Sequence, residues 1–262
     1  MFPELFSFGP FHLRTFGIML AAAFLVGTWI ALGEARRRGI DETKLVNMVL
    51  VILVASILGA RGFYVFTHPA ELRGDPLSFL RIWEGGLTLI GGFVAGTVAG
   101  FAYMARAGLP LGVTADTVTP SVALGVAIAR IGCFLNGCCF GLPGSAPWCV
   151  HYPPGAPASI LFPGMAVHPS QLYNAAAFFG LFLLTLWLRK RLKGDGQLWW
   201  AFVVLFALVR VPIDATRYYE SSAYVLRLFG RPITDSELIG FALVVAGVFF
   251  FVRAGRRAAR AA

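Results

Sequence analysis

Apolar residues are grouped along this chain into seven runs, separated by short polar or charged stretches. Several runs are close to the length of about 17 residues that a helix needs to cross a bilayer. The pattern predicts an all-α, polytopic membrane protein with about seven transmembrane helices, forming a single transmembrane domain over residues 1–262. The predicted spans are Phe16–Gly33, Leu45–Phe66, Thr88–Tyr103, Val118–Leu135, Leu172–Leu188, Leu198–Ile213 and Leu238–Val252.

The composition indicates that lipid is the main solvent of this chain. Hydrophobic residues make up 58% of the sequence and charged residues 13%, whereas soluble domains contain about 25% charged residues. Residues 1–14 carry one Arg and no Lys, so we expect the first apolar run to remain as a span rather than to be cleaved as a signal peptide. The net charge of +9 does not indicate a nucleic-acid partner, because the basic residues lie in short loops between apolar runs.

The distribution of Lys and Arg over alternate loops predicts the orientation in the membrane. One side carries 13 of these residues and the other side six, and the remaining three lie inside the apolar runs. Because cytoplasmic loops hold the excess of positive charge, the N-terminus is predicted to lie outside and the C-terminus in the cytoplasm. Three long segments, 67–87, 136–171 and 214–237, then face outward.

Three arginines lie inside predicted spans, namely Arg61, Arg130 and Arg210. An arginine at the centre of a membrane helix costs about 2.5–3.5 kcal/mol on the insertion scale. Two interpretations explain their presence. One is neutralisation within the protein, by ion pairs such as Arg210 with Asp214 or Arg61 with Glu84. The other is a cavity that binds an anion, and a phospholipid headgroup is the anion that reaches this depth, since the guanidinium fork matches phosphate.

The segment Arg130–Gly141 (RIGCFLNGCCFG) is the densest local signal in the chain. Its glycines permit a close backbone approach, and Asn136 offers both a hydrogen-bond donor and an acceptor. This composition suits binding of a phosphate or a glycerol hydroxyl. Small residues are also typical of a seam between two membrane helices, and the two interpretations are compatible.

Five further blocks accompany this segment, namely Phe16–Met19, Gly59–Tyr64, Ile82–Gly92, His168–Tyr173 and the trio Arg210, Asp214 and Arg217. Together with Arg130–Gly141, and in their order along the chain, they resemble the prolipoprotein diacylglyceryl transferase family over nearly the whole length. That family has a seven-helix membrane body with periplasmic arm and head segments, in the bacterial inner membrane. It transfers the diacylglyceryl group of phosphatidylglycerol to the lipobox cysteine of a prolipoprotein signal peptide, and glycerol phosphate is released.

The resemblance implies roles for individual residues. Arg130 and Arg210 correspond to the two arginines that hold the phosphate, and no cofactor or metal is implied. Asn136 and Gly141 match the signature, and Asp214 and Glu84 keep the carboxylates of two acidic positions. The remaining candidates for lipid binding are Arg61, Gly137 and Arg217, and the candidates for catalysis are Arg130, Arg210, Asp214 and His168.

Several positions depart from the family pattern. Ile90 stands where the family usually has a histidine that is a candidate base, and Phe16 stands for a tyrosine. In the signature, Cys133 replaces an asparagine and Cys138 replaces a glutamate. His168 is an alternative base, but His168-Pro-Ser-Gln-Leu-Tyr is also typical of a helix start, since Pro169 suits the first turn. These departures leave open a relative that modifies another nucleophile, or a non-catalytic phospholipid-binding protein.

Four cysteines form the pattern C-x4-C-C-x9-C between Cys133 and Cys149. Zinc and iron–sulfur sites usually contain C-x2-C pairs, so the spacing does not favour a metal. In an oxidising compartment Cys149 is able to pair with Cys138 or Cys139. The simplest interpretation is that these residues pack as small apolar side chains.

Overall fold

The seven apolar runs form seven long helices, and one short helix lies between the fourth and the fifth of them. The structure is a computed structural model that describes residues 4–8, 11–68, 86–219, 224–228 and 231–261, and Glu84 lies outside these residues. The helices are α1 Thr15–Arg38, α2 Glu42–Thr67, α3 Leu89–Ala107, α4 Leu111–Asn136, α5 Pro157–Leu161, α6 Ser170–Leu188, α7 Gln197–Asp214 and α8 Asp235–Ala261.

The helical membrane fold predicted from the sequence is confirmed. Each predicted span coincides with one long helix, and Thr88 alone falls just before its helix, at the N-cap of α3. Over the described residues, six of the long helices have the length and hydropathy expected of a membrane span. Helix α3 has 19 residues, four of which are glycine. Large apolar side chains such as Trp29 and Phe93 are 75% and 72% exposed, as expected where lipid surrounds the helices.

Two antiparallel β-hairpins, which the apolar pattern did not predict, precede α1 and α8. The first pairs β1 Glu4–Phe8 with β2 Phe11–Arg14, and the second pairs β3 Tyr224–Leu228 with β4 Arg231–Thr234. At the second hairpin Glu237 and Thr234 form a capping box, in which each side chain accepts a hydrogen bond from the other residue's amide. The end of the hairpin is thereby fixed to the first turn of α8.

The described residues group into two compact units. One unit is Leu32–Thr114 and the other comprises Met1–Ala31 and Ala115–Ala262. In the first unit, α2 and α3 pack through small residues, with Gly92 and Gly96 close to Ser56 and with Gly59 close to Gly91. Small residues let helix backbones approach closely in lipid, where van der Waals contact drives the association.

The second unit contains the core between α4, α6 and α7. Ala123, Phe178 and Phe202 are buried there, within one apolar cluster. The carboxylate of Asp116, on α4 and 3% exposed, accepts hydrogen bonds from the Gly196 and Trp199 amides, each at 2.9 Å. A carboxylate from one helix therefore satisfies free amides at the N-terminus of another, where negative charge is also favoured by the helix dipole.

Residues 137–169, between α4 and α6, carry a small core of their own. Phe140, Tyr152, Ala158 and Val167 are buried in it. The ring of Tyr218, from the segment after α7, stacks on Phe140 with 5.8 Å between centroids. This aromatic packing holds the segment after α7 against the loop that follows α4.

We predict that Gly59→Ala destabilises the protein by about 1–3 kcal/mol, because overpacking a close contact has that cost. A Cβ at Gly59 would contact the Ala95 Cβ and would lie 2.6 Å from the Gly91 carbonyl oxygen. Thermal unfolding of the detergent-solubilised protein measures the effect. Gly62→Ala is the matched control on α2, since no atom of the described residues comes within 4 Å of the new Cβ. Equal unfolding temperatures for the two variants would contradict the packing described for α2 and α3.

Candidate functional site

Helix α4 ends in a Schellman turn within the Arg130–Gly141 segment. Gly137 has a φ of 76°, its amide donates to the Phe134 carbonyl at 3.2 Å, and the Cys138 amide donates to the Cys133 carbonyl at 3.1 Å. Glycine is favoured here because a left-handed φ carries no Cβ penalty for it. Asn136 and Gly137 line one side of a cavity of about 380 Å³, whose other side is formed by residues 153–157.

Gly141 lies at a junction of three backbone segments. Its amide donates to the His168 carbonyl at 2.9 Å, and the next amide, that of Leu142, donates to the Thr216 carbonyl at 2.8 Å. A Cβ at Gly141 would lie 2.5 Å from the His168 carbonyl oxygen and 2.6 Å from that of Thr216. The absence of a side chain therefore lets the segments before α6 and after α7 meet the end of the signature.

The start of α6 supports the loop after α4 by polar contacts. The Gln171 side chain, 1% exposed, donates to the Cys138 carbonyl at 2.7 Å and to the Tyr152 hydroxyl at 2.9 Å. Burial raises the pKa of Tyr152 to about 12, so this phenol stays neutral at physiological pH. The Ser170 hydroxyl donates to the Thr216 carbonyl at 3.2 Å.

The His168 ring is engaged at the same helix start. Its Nδ1 forms a hydrogen bond with the Tyr173 hydroxyl at 3.0 Å, and its other nitrogen borders Gly144, beside the Cys149 sulfur. Within the described part of the chain no hydrogen bond joins this ring to Arg130 or Arg210. These contacts agree with the structural interpretation of the His168–Tyr173 block.

Arg210 lies at the centre of a polar cluster at the end of α7. Its Nη2 donates to Asp214 at 3.1 Å, to the Tyr219 hydroxyl at 3.4 Å and to the Ser236 hydroxyl at 2.5 Å. The Arg210–Asp214 ion pair that the sequence left open is therefore present. Among the described residues, Nη2 is the only nitrogen of Arg210 that donates hydrogen bonds to the protein.

Arg130 and Arg217 are half-buried and lie close to Cys139. Arg130 forms no hydrogen bond or ion pair with any described residue, and the Nε of Arg217 is buried with no hydrogen-bond partner among them. The pKa of the Cys139 thiol is held below its ordinary value, first because the thiols of Cys133 and Cys138 hydrogen-bond to it. The positive charges of the two arginines act in the same direction, against the effect of burial.

Arg61 belongs to the unit Leu32–Thr114 and is 5% exposed. Its Nη1 donates to the Gly86 carbonyl at 3.2 Å, and its guanidinium lies 5.6 Å from the centroid of the Tyr64 ring. Gly86 has a φ of 65°, and a Cβ there would collide with Arg61 and Tyr64. The alternative ion pair of Arg61 with Glu84 lies outside the described residues.

The comparison with known proteins identifies the family. The family model described as prolipoprotein diacylglyceryl transferase matches residues 3–253. The chain belongs to the prolipoprotein diacylglyceryl transferase family.

Among the curated relatives, three phosphatidylglycerol–prolipoprotein diacylglyceryl transferases represent the match to this family. That of Synechococcus sp. (strain CC9902) is 34% identical over 221 residues, which cover 82% of this chain and 79% of the relative. That of Geobacter sulfurreducens is 29% identical over 262 residues, covering 97% and 96%. That of Ruegeria pomeroyi is 30% identical over 283 residues, covering 96% and 95%.

Several residues of the candidate site were predicted neither by the sequence pattern nor by the family resemblance. Ser236 and Tyr219 contact Arg210, but neither lies in a motif, and Ser236 comes 26 residues later in the chain. Cys139 is the one non-glycine residue with a positive φ in the described part of the chain, at 60°. Gln171 lies in the His168–Tyr173 block. A polar side chain beside an apolar run was the sequence feature that could have indicated its role. All four cysteines have free thiols, so the disulfide that the spacing permitted is not formed.

We predict that Gly141→Ala abolishes diacylglyceryl transfer and lowers the unfolding temperature, because the new Cβ would lie 2.5 and 2.6 Å from two backbone carbonyl oxygens. Proteolysis of the loop after α4 and thermal unfolding in detergent measure the structural effect. Gly180→Ala on α6 is the control, since its new Cβ has no neighbour within 4 Å in the described part of the chain. A Gly141→Ala protein as stable and as active as Gly180→Ala would show that the junction is not needed.

Proposed function

We propose that this chain transfers the diacylglyceryl group of phosphatidylglycerol to a cysteine thiol of prolipoproteins, in the lipid bilayer. The relatives named above carry this activity in their names. The observation in the structure that carries the proposal is the excess of guanidinium groups at the ends of α4 and α7. Arg130, Arg210 and Arg217 are half-buried there, and Asp214 is the one carboxylate that contacts any of them among the described residues.

This excess of positive charge favours a bound anion. A half-buried arginine loses part of its hydration, and an anion that accepts its hydrogen bonds replaces the lost water. The buried Nε of Arg217 and the guanidinium of Arg130, which bonds to no described residue, supply donors for phosphate oxygens. A phosphodiester headgroup between these groups brings one negative charge and leaves its acyl chains in the bilayer.

The reaction follows from this arrangement. The acceptor sulfur attacks the glycerol carbon that bears the phosphate, a C–S bond forms, and the C–O bond to phosphate breaks. The electron pair of that bond leaves with glycerol phosphate, while the thiol proton passes to a base or to water. Negative charge grows on the leaving phosphate, and guanidinium donors held in place in a water-poor site stabilise it.

We infer the following division of roles. Arg130, Arg210 and Arg217 bind the phosphate directly. Asp214 orients the guanidinium of Arg210 through their ion pair. Asn136, Gly137 and Gly141 form the adjacent wall for the glycerol group. Arg61 and Glu84 are further candidates for phospholipid binding. His168 remains a candidate catalytic base, although its contact with Tyr173 favours a positioning role.

We also infer the arrangement in the membrane. The protein forms one transmembrane domain in the bacterial inner membrane, with the N-terminus in the periplasm and the C-terminus in the cytoplasm. Segments 67–87, 136–171 and 214–237 then face the periplasm, where the lipobox of a prolipoprotein signal peptide emerges from the bilayer. The excess of Lys and Arg on the opposite side supports this orientation.

We predict that Arg130→Ala and Arg210→Ala each lower the rate of transfer by at least about 100-fold, the loss typical of removing one donor from a charge-stabilising site. The assay incubates purified protein with labelled phosphatidylglycerol and a lipobox peptide and measures the thioether product. Arg191→Ala, which removes an arginine stacked on Trp187 at 4.0 Å, is the control and is expected to stay active. Full activity of both site variants would refute the assignment of the phosphate site.

We predict that a fluorescent protein fused after Ala262 is fluorescent and that alkaline phosphatase at the same position is inactive. The reason is that alkaline phosphatase needs the oxidising periplasm to form its disulfides. A fusion that ends at Ala156, within segment 136–171, should give the opposite pair of results. The reverse pattern at both positions would overturn the orientation without affecting the assignment of the site.

A further inference from the structure

Three cysteine thiols converge at the end of α4, beside the proposed phosphate site. The sulfur atoms of Cys133, Cys138 and Cys139 all lie within 4.8 Å of one another. Cys133 is buried, the other two are half-buried, and all three are free thiols. The fourth cysteine, Cys149, is not a member of this group.

The backbone after α4 produces this convergence. The Schellman turn at Gly137 folds the chain back, and the Cys138 sulfur lies 3.7 Å from the Cys133 carbonyl oxygen. Cys139 then adopts a φ of 60°, which is unfavourable for a residue that carries a Cβ. The Gln171 side chain holds the Cys138 carbonyl from the other side. The turn at the end of α4 brings the Cys133 and Cys138 sulfur atoms together, and the left-handed backbone at Cys139 places a third sulfur beside them.

The spacing of the sulfur atoms suits a single metal ion. Zinc–sulfur bonds are about 2.3 Å long, so three thiolates on one zinc ion lie roughly 3.8–4.0 Å apart. The three cysteines approach this arrangement with shifts of less than about 1 Å, which side-chain rotation supplies. The spacing C-x4-C-C is not that of common zinc motifs, and for that reason the sequence did not predict a metal.

The charges near the thiols also favour a bound metal ion. Three thiolates around one divalent cation carry a net charge of −1, and around one monovalent cation a net charge of −2. Arg130 and Arg217 act electrostatically on Cys139 and offset this negative charge. A bare cation would be repelled by the two arginines, whereas the anionic thiolate complex is attracted by them.

We propose that Cys133, Cys138 and Cys139 form a binding site for one thiophilic metal ion such as Zn²⁺. Soft thiolate ligands select zinc and monovalent copper over harder cations. No fourth His, Cys, Asp or Glu joins the group in the described part of the chain. Three protein ligands therefore leave a fourth coordination position open, as in zinc sites that exchange a ligand.

The test measures metal binding by the full-length, tag-free protein in detergent after reduction and removal of metal. Zn²⁺ is added and then removed by gel filtration, and the bound metal is counted by mass spectrometry. Co²⁺ is used in parallel because thiolate ligation gives it intense charge-transfer absorption. We expect one ion per chain with three thiolate ligands. Cys133→Ser and Cys139→Ser should each weaken binding by about 100-fold or more.

Cys149→Ser is the matched control and should bind the metal like the unmodified protein. Unfolding temperatures measured without metal separate loss of a ligand from loss of the fold. Three results would overturn the proposal: no metal uptake by a protein whose four thiols all react, equal loss of metal in Cys149→Ser, or a disulfide within the trio in protein isolated from membranes. Each readout is independent of transferase activity, so the metal site and the proposed function fail or hold separately.

Discussion

A guanidinium group held in apolar surroundings needs an anion, and the candidate site is organised around this constraint. Arg130, Arg210 and Arg217 lie near the ends of α4 and α7. Among the described residues, Asp214 is the one carboxylate that contacts any of them. An arginine at the centre of a membrane span costs about 2.5–3.5 kcal/mol, and Arg130 and Arg210 lie within the long helices α4 and α7. A bound anion would supply the negative charge that these guanidinium groups lack, so under the proposed function the stability of this region depends on the bound lipid.

The remaining contacts hold these charges in place. The backbone junction at Gly141 joins the segment that carries Arg217 to the end of the helix that carries Arg130. Gln171 fixes the turn between them from α6. Tyr218 stacks on Phe140 and so holds the segment after α7 against the loop that follows α4. Local order around the arginines therefore comes from backbone hydrogen bonds and aromatic packing, with few ion pairs.

The sequence predicted the helices well, because the length of an apolar run and the thickness of a bilayer together define a span. It also singled out Arg130, Arg210 and Asp214 as candidates, because their charges stand out in apolar surroundings, and the structure contains the Arg210–Asp214 ion pair. It did not predict the hairpins before α1 and α8, whose pairing depends on the backbone, nor the contact of Ser236 with Arg210 across 26 residues. Asp116 was missed because the predicted fourth span began at Val118, whereas the helix begins at Leu111.

Asp116 has a consequence for assembly of the protein during synthesis. Its carboxylate on α4 is bonded to the amides of Gly196 and Trp199, which are made 80 and 83 residues later. When α4 leaves the ribosome, these two donors do not yet exist, so the contact between α4 and the N-terminus of α7 forms only after the sixth long helix has been made. A chain truncated before residue 196 lacks both donors, and its α4 cannot complete this contact.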